Sequence, residues 1–258
     1  RQVNTYKIWD TTQNRLLFTT TDTLPFAMSA NGTIAALTAQ HTVQILHTQD
    51  LLQQGNSPNV LNIQTAAETL SSPVFAQLVA ISCSPDGSQL ATATSDGSIQ
   101  IWNQEFASGS ELPLLTLHIP TNQAYTPPFA SISMAWSPDG QHLAVNAYTN
   151  TGITPIQVWD LQSGRLIQSY SGNGLPLTGM VWMADSKEIL ASNFNQLSLW
   201  DTTTGRTFTS VQQGMAYLPT QSLSQISPNG QLLAVPLAYT LQLIDTHTGK
   251  RLRTLQGS

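Results

Sequence analysis

The sequence predicts an all-β chain built from repeated units of four antiparallel strands. Three observations predict it: a strand motif that occurs six times, a turn motif ahead of five of its copies, and a near-constant spacing between the two. The strand copies read Tyr6-Lys-Ile-Trp9-Asp10, Val43-Gln-Ile-Leu46-His47, Ile99-Gln-Ile-Trp102-Asn103, Ile156-Gln-Val-Trp159-Asp160, Leu197-Ser-Leu-Trp200-Asp201 and Leu241-Gln-Leu-Ile244-Asp245. Each alternates apolar and polar residues, the period of a strand with two unlike faces.

The turn copies are Ser29-Ala-Asn-Gly32, Ser84-Pro-Asp-Gly87, Ser137-Pro-Asp-Gly140, Met183-Ala-Asp-Ser186 and Ser227-Pro-Asn-Gly230. Proline presets φ at the second turn position, Asp or Asn tolerates the next, and Gly relieves strain at the exit. From the first turn residue to the end of the later strand the distance is 17 or 18 residues, except for 22 after Ser137. A further short strand fits between each turn and its motif, as in Leu90-Ala-Thr-Ala-Thr94. Another follows the motif, as in Arg165-Leu-Ile-Gln-Ser-Tyr170. Four antiparallel strands in about 40–45 residues is the arithmetic of a propeller blade.

These residues resemble the WD repeats, whose blades carry Ser-Pro-Asp-Gly turns and close the third strand with Trp-Asp. The resemblance runs through the whole chain and rests on three Trp-Asp pairs and two intact turns in register. It implies a β-propeller of four-stranded antiparallel blades, with five full blades at 21–64, 65–118, 119–170, 171–211 and 212–258. An N-terminal half-blade at 1–20 precedes them, because no turn or inner strand stands ahead of Trp9-Asp10. A sixth blade is then expected to take two strands from outside these residues or from another chain, since bare strand edges invite aggregation. The opening residue, Arg1 rather than Met, agrees with a processed protein or a piece of a longer one.

The pattern also departs from the family. No Gly-His pair precedes the first strand of any unit, so the hydrogen-bond network that such a histidine anchors in WD repeats is expected only in part, from Asp96, Thr94 and Trp102. Elsewhere stability must lean on packing between blades, which is the role expected of Trp9, Trp102, Trp159 and Trp200 at equivalent strand ends, and of Trp136 and Trp182 ahead of their turns.

Composition narrows the function. Charged residues are 9% of the chain and the net charge is −5. A phosphate backbone wants a Lys/Arg stripe, and Arg251 with Arg253 is only a doublet, so no nucleic-acid partner is expected. No apolar run approaches the ~18 residues of a membrane span, so no insertion by this domain is expected either. The single cysteine, Cys83, lies in an apolar run and reads as a buried structural thiol.

Catalysis finds little support. His41, His47, His118, His142 and His247 do not pair at metal-ligand spacing, and His47, His142 and His247 sit where solvent is expected. Glu68, Glu105 and Glu111 lie in loops, and no phosphate loop or nucleophile elbow is present. No catalytic residue, metal or cofactor is assigned.

The resemblance implies instead a scaffold or ligand-sensing module that binds a protein or peptide partner on its loop side. Similar bacterial domains are attached to signalling proteins such as kinases, and both a cytoplasmic and an extracytoplasmic setting agree with this. The long connections 65–75 and 119–129, the extra hairpin at 148–152, and exposed-loop chemistry elsewhere nominate Tyr125, Phe129, Tyr148, Leu175, Met215 and Tyr217 as partner-binding residues. The competing expectation is a propeller enzyme, a lyase or hydrolase, acting at the channel mouth.

Overall fold

The computed structural model describes residues 6–10, 15–20, 26–29, 33–37, 42–47, 59–62, 77–103, 112–120, 127–150, 152–171, 177–193, 196–211, 225–227, 231–237, 240–245 and 250–256. Among them every regular element is a strand. Tyr6–Asp10 (β1) and Arg15–Thr20 (β2) pair as a two-stranded sheet. Phe26–Met28, Thr33–Leu37, Thr42–His47 and Asn59–Asn62 (β3 to β6) form a four-stranded one. So do Leu78–Cys83, Gln89–Thr94, Ser98–Asn103 and Leu115–His118 (β7 to β10). The next comprises Phe129–Trp136, His142–Thr149, Ile156–Asp160 and Arg165–Tyr170 (β11 to β14). Leu177–Trp182, Glu188–Asn193, Gln196–Asp201 and Thr207–Val211 (β15 to β18) follow, then Gln225–Ile226, Leu232–Leu237, Thr240–Asp245 and Arg251–Gln256 (β19 to β22). In each four-stranded sheet, strands adjacent in sequence are adjacent in space.

The chain divides into two compact units, Arg1–Thr121 with Pro127–Phe129, and Asn122–Thr126 with Ala130–Ser258. The turn chemistry read from sequence is realised in both. In the first unit the Ser84 hydroxyl donates to Asp86 Oδ1 at 2.6 Å and accepts from the Gln89 amide at 2.9 Å, while the Gly87 amide donates to the Ser84 carbonyl. Ser137, Asp139, Gly140 and His142 repeat the pattern in the second unit, and Ser227 takes the Leu232 amide in the same way. Gly87 and Gly140 adopt φ of +73° and +70°, where glycine alone avoids a Cβ penalty. Ser186 holds the equivalent place at +58°, and its hydroxyl accepts from the Asp139 amide at 3.1 Å, tying the turn of one sheet to that of the next.

The partial network expected of Asp96, Thr94 and Trp102 is corrected. Thr94 does donate to Asp96 Oδ1 at 2.6 Å, but the Trp102 indole donates to Thr92 Oγ1 at 2.9 Å. The register explains the change: Trp102 stands opposite Leu90, and its ring reaches diagonally to the next residue on the same side of β8, Thr92. Thr94, four residues from Leu90, lies about 13 Å along the strand and out of reach.

Trp159 stands opposite Leu143 in the same way, and the position matching Thr92 is Val145. Its indole N–H is accordingly buried without a hydrogen-bond partner. Thr92→Val is therefore expected to cost about 1–3 kcal/mol by orphaning the Trp102 N–H, whereas Val145→Thr should recover about 1 kcal/mol by supplying one for Trp159. Urea unfolding of both variants checks the pair. Equal effects of the same sign would show that indole pairing does not set the difference.

In the second unit two sheets are joined by aromatic residues. Trp182 Nε1 donates to the Ala135 carbonyl at 2.9 Å, and Tyr170 stacks on Trp200 with ring centroids 5.5 Å apart. Around them Ala144, Ile156, Val158, Ile189 and Ala191 complete one buried cluster. Ile156 and Val158 of β13 enter it together because side chains two residues apart on a strand point to the same side.

Candidate functional site

Antiparallel order gives every four-stranded sheet two ends. One carries the turns from first to second and from third to fourth strand. The other carries the connection from second to third strand and the joins to neighbouring sheets. At this second end β12 runs two residues longer than β8, and its connection to β13 forms a hairpin. The Thr149 amide donates to the Gly152 carbonyl at 2.8 Å, and the Gly152 amide returns a bond to Thr149 Oγ1 at 3.0 Å. Asn146 Nδ2 donates to the Thr154 carbonyl at 2.6 Å, and Thr154 Oγ1 accepts from the Ala147 amide at 2.8 Å. Tyr148 bridges to Ile153 within this frame. Ala147 and Thr149 on either side are buried, so strand alternation turns Tyr148 outward, where its side chain is 41% exposed.

Phe129 is corrected as a surface residue. It is 1% exposed, its amide donates to the Ser95 carbonyl at 2.7 Å, and its ring lies against Gly97. Phe129 closes the Ser95–Gly97 turn from beneath and offers nothing to a partner. Pro127 and Pro128 just before it are exposed. Tyr125, Leu175, Met215 and Tyr217 lie outside the described residues, as does the side chain of Trp9. Trp102, Trp159 and Trp200 are buried, and Asp96 is exposed at its turn.

The other end gathers charge. His142, expected in solvent, is half-buried: its ring lies 5.9 Å from that of Trp182, with Nδ1 3.9 Å from Asp139 and Nε2 3.9 Å from Asp160. Both distances exceed hydrogen-bond reach. Sequence reasoning missed this arrangement, although placing His142 opposite Asp160 in register would have signalled it. Among the described residues no group of three or more His, Cys, Asp or Glu is placed to hold a metal ion.

Four carboxylates at this end, Asp86, Asp139, Asp160 and Asp201, sit below their ordinary range of ionisation. The Ser84 hydroxyl is the largest cause for Asp86, followed by the Ser88 amide. The Ser163 hydroxyl acts first on Asp160, and the Thr203 hydroxyl on Asp201. For Asp139 burial opposes ionisation, and bonds from Ser137 and Gln141 with the neighbouring His142 outweigh it. A carboxylate depressed in the folded state stabilises it above the unfolded value and loses that contribution as pH falls. The unfolding midpoint is therefore expected to drop between about pH 5 and pH 3, and Ser84→Ala should flatten the drop. An unchanged slope in that variant would remove the serine as its cause.

Residues 69–103 match the family model described as WD domain, G-beta repeat. This segment is similar to a single WD repeat. Its match runs through β7, the Ser84–Gly87 turn and β8, and ends on Trp102-Asn103 of β9. No curated protein matches this sequence. The fold is similar to that of a WD40 propeller chain in the crystal structure of the Mitotic Checkpoint Complex, at 17% identity and a TM-score of 0.62, over 91% of this chain and 64% of that one. The chain thus spans somewhat under two thirds of the length of that similar chain. The likeness is one of fold: antiparallel four-stranded sheets of the kind a WD40 β-propeller uses.

Proposed function

We propose that this chain is a non-catalytic interaction module that holds a protein or peptide partner at the sheet ends bearing the Tyr148 hairpin. WD-repeat homology supports an interaction scaffold in general. The observation that carries the finer reading is Tyr148 itself, an exposed aromatic on a hairpin whose backbone is already hydrogen-bonded. An anchor held rigid before binding loses little entropy on binding, and tyrosine buries a large area without a charge partner. Tyr125, Leu175, Met215 and Tyr217, which by sequence fall in the connections between the last strand of one sheet and the first of the next, are included in this proposal. Resemblance to bacterial WD-repeat domains adds attachment to a signalling protein such as a kinase.

Affinity capture with the chain and with Tyr148→Ala, read by mass spectrometry, tests this. The variant is expected to lose about tenfold or more of its partner, a hot-spot effect. Equal capture by both proteins would move the site elsewhere.

The reading extends to the two-stranded sheet. Asp10 pairs with Arg15, Trp9 with Leu16 and Ile8 with Phe18, across a register shift between Ile8 and Trp9. Asp160 with Arg165, Trp159 with Leu166 and Val158 with Gln168 repeat this, with the same shift. In that second sheet β12 occupies the other edge of β13. By this parallel β1 and β2 are the outer half of a blade whose inner strands come from another segment or chain. Amides of β1 are then expected to gain protection from hydrogen exchange when those strands are supplied, and unchanged exchange would sink the idea.

A further inference from the structure

β1 and β2 repeat the register of β13 and β14 at every described pair, from Tyr6 opposite Thr20, as Ile156 is opposite Tyr170, to Asp10 opposite Arg15. Among the described residues β1 has a strand on one edge only, whereas β12 lies on the other edge of β13. What fits the open edge of β1 can therefore be read from the second strands of the five four-stranded sheets, each of which covers the corresponding edge.

Those strands agree at two positions. Opposite the residue that matches Trp9 stands Ile34, Leu90, Leu143, Ile189 or Leu233. Opposite the residue that matches Ile8 stands alanine in four sheets, Ala35, Ala91, Ala144 and Ala234, and Leu190 in the fifth. At the next position Ala36, Thr92, Val145, Ala191 and Val235 face Gln44, Gln100, Gln157, Ser198 and Gln242. β1 departs from its counterparts here: it places Lys7 where every four-stranded sheet has a neutral side chain.

That position closes once a second strand is in place. Gln100 is 8% exposed and Gln157 3%, and Ser198 and Gln242 are half-buried. An ammonium covered in this way loses hydration, and an alanine, threonine or valine opposite returns nothing for it. Residues directly opposite on an antiparallel pair have Cβ atoms about 4.5–5.5 Å apart, close enough for a lysine and a carboxylate to pair. We infer that the open edge of β1 takes an antiparallel polypeptide strand that places leucine or isoleucine opposite Trp9, alanine opposite Ile8, and aspartate or glutamate opposite Lys7. The inference rests on the reading of β1 and β2 as the outer half of a blade. The described second strands of this chain do not fit: each already lies in its own sheet, and none has an acid at the third position. A second copy of the chain would have to open a sheet to lend one and would still leave the lysine unanswered. A strand with a cation at that position meets like charge and is rejected.

The test uses a synthetic hairpin of residues 129–149, since its second strand covers the matching edge of β13. Three versions are compared, unchanged, Val145→Glu and Val145→Lys. Binding to the whole chain is read by fluorescence anisotropy, and its place by hydrogen exchange of the β1 amides. The Val145→Glu hairpin is expected to bind about tenfold tighter than the unchanged one, and the Val145→Lys hairpin most weakly. The ranking is expected to vanish against the Lys7→Gln chain. The same hairpins joined to Arg1 by a flexible Gly/Ser linker reach millimolar effective concentration, so weak association does not hide the ranking. Protection of β1 with no advantage for Val145→Glu, or an advantage that survives Lys7→Gln, overturns the inference and leaves β1 as an edge that takes a strand. Failure of every hairpin, free or linked, to protect β1 overturns the reading beneath it. Protection of β1 that rises with the concentration of the chain alone assigns the edge to a second copy and also overturns the inference.

Discussion

Replacing Gly97 by alanine is expected to cost the first unit about 2–5 kcal/mol. Two causes add. Gly97 has φ of +88°, a conformation that charges an L-residue about 1–2 kcal/mol. A Cβ built there would also stand 2.6 Å from Phe129 Cε2 and 3.2 Å from Cδ2. A side-chain end normally yields to such an intrusion, but Phe129 is 1% exposed, and displacing it means overpacking the interior, at about 1–3 kcal/mol. The backbone around it is equally committed: the Gly97 carbonyl accepts from the Ile119 amide and the Ser95 carbonyl from that of Phe129. Urea unfolding of Gly97→Ala, Phe129→Leu and the double variant separates the causes. If ring contact contributes, the double variant loses less than the two single losses combined. A Gly97→Ala cost below about 1 kcal/mol would mean that the turn relaxes and that Phe129 is not its plug.

Phe129 also shows where the sequence ceases to be legible. The strands and turns were readable because their causes are local: period-two alternation, proline at one turn position, glycine or asparagine at another. The fate of Phe129 is set by a glycine 32 residues earlier, so its Pro-Pro-Phe setting reads as an exposed loop. Trp102 illustrates a second limit. Its strand and burial follow from the motif, but its acceptor depends on register across β8, which favours Thr92 over the more familiar Thr94. His142 is a third case, placed on Trp182 by packing between neighbouring sheets. Of the candidate site, Tyr148 was legible because the 22-residue interval after Ser137 required an extra hairpin, and alternation fixed which residue it turns outward.

The joint between the second unit's first two sheets should be its most sensitive point, and Trp200→Ala is expected to cost about 3–5 kcal/mol. The indole is 3% exposed and lies at an interplanar angle of 9° to Tyr170, which belongs to the neighbouring sheet and whose hydroxyl donates to the Asp201 carbonyl at 3.2 Å. Deleting the indole removes buried area from both sheets and leaves a void beside Ile189 and Val158, each fully buried. Tyr170→Phe keeps the stack and removes only the hydroxyl, so it should cost about 1 kcal/mol. Trp200→Phe, which retains a ring, should fall between the two. Tyr170→Ala is expected to couple to Trp200→Ala by about 0.5–1.5 kcal/mol in a double-mutant cycle, the contribution of the aromatic pair beyond its area. Near-zero coupling would mean that the two rings are buried independently and that the sheets are held by their aliphatic residues alone. Strong coupling would make this stack the element that keeps β14 seated against its neighbour, and with it the chain that leads into the uncharged connection at 171–176.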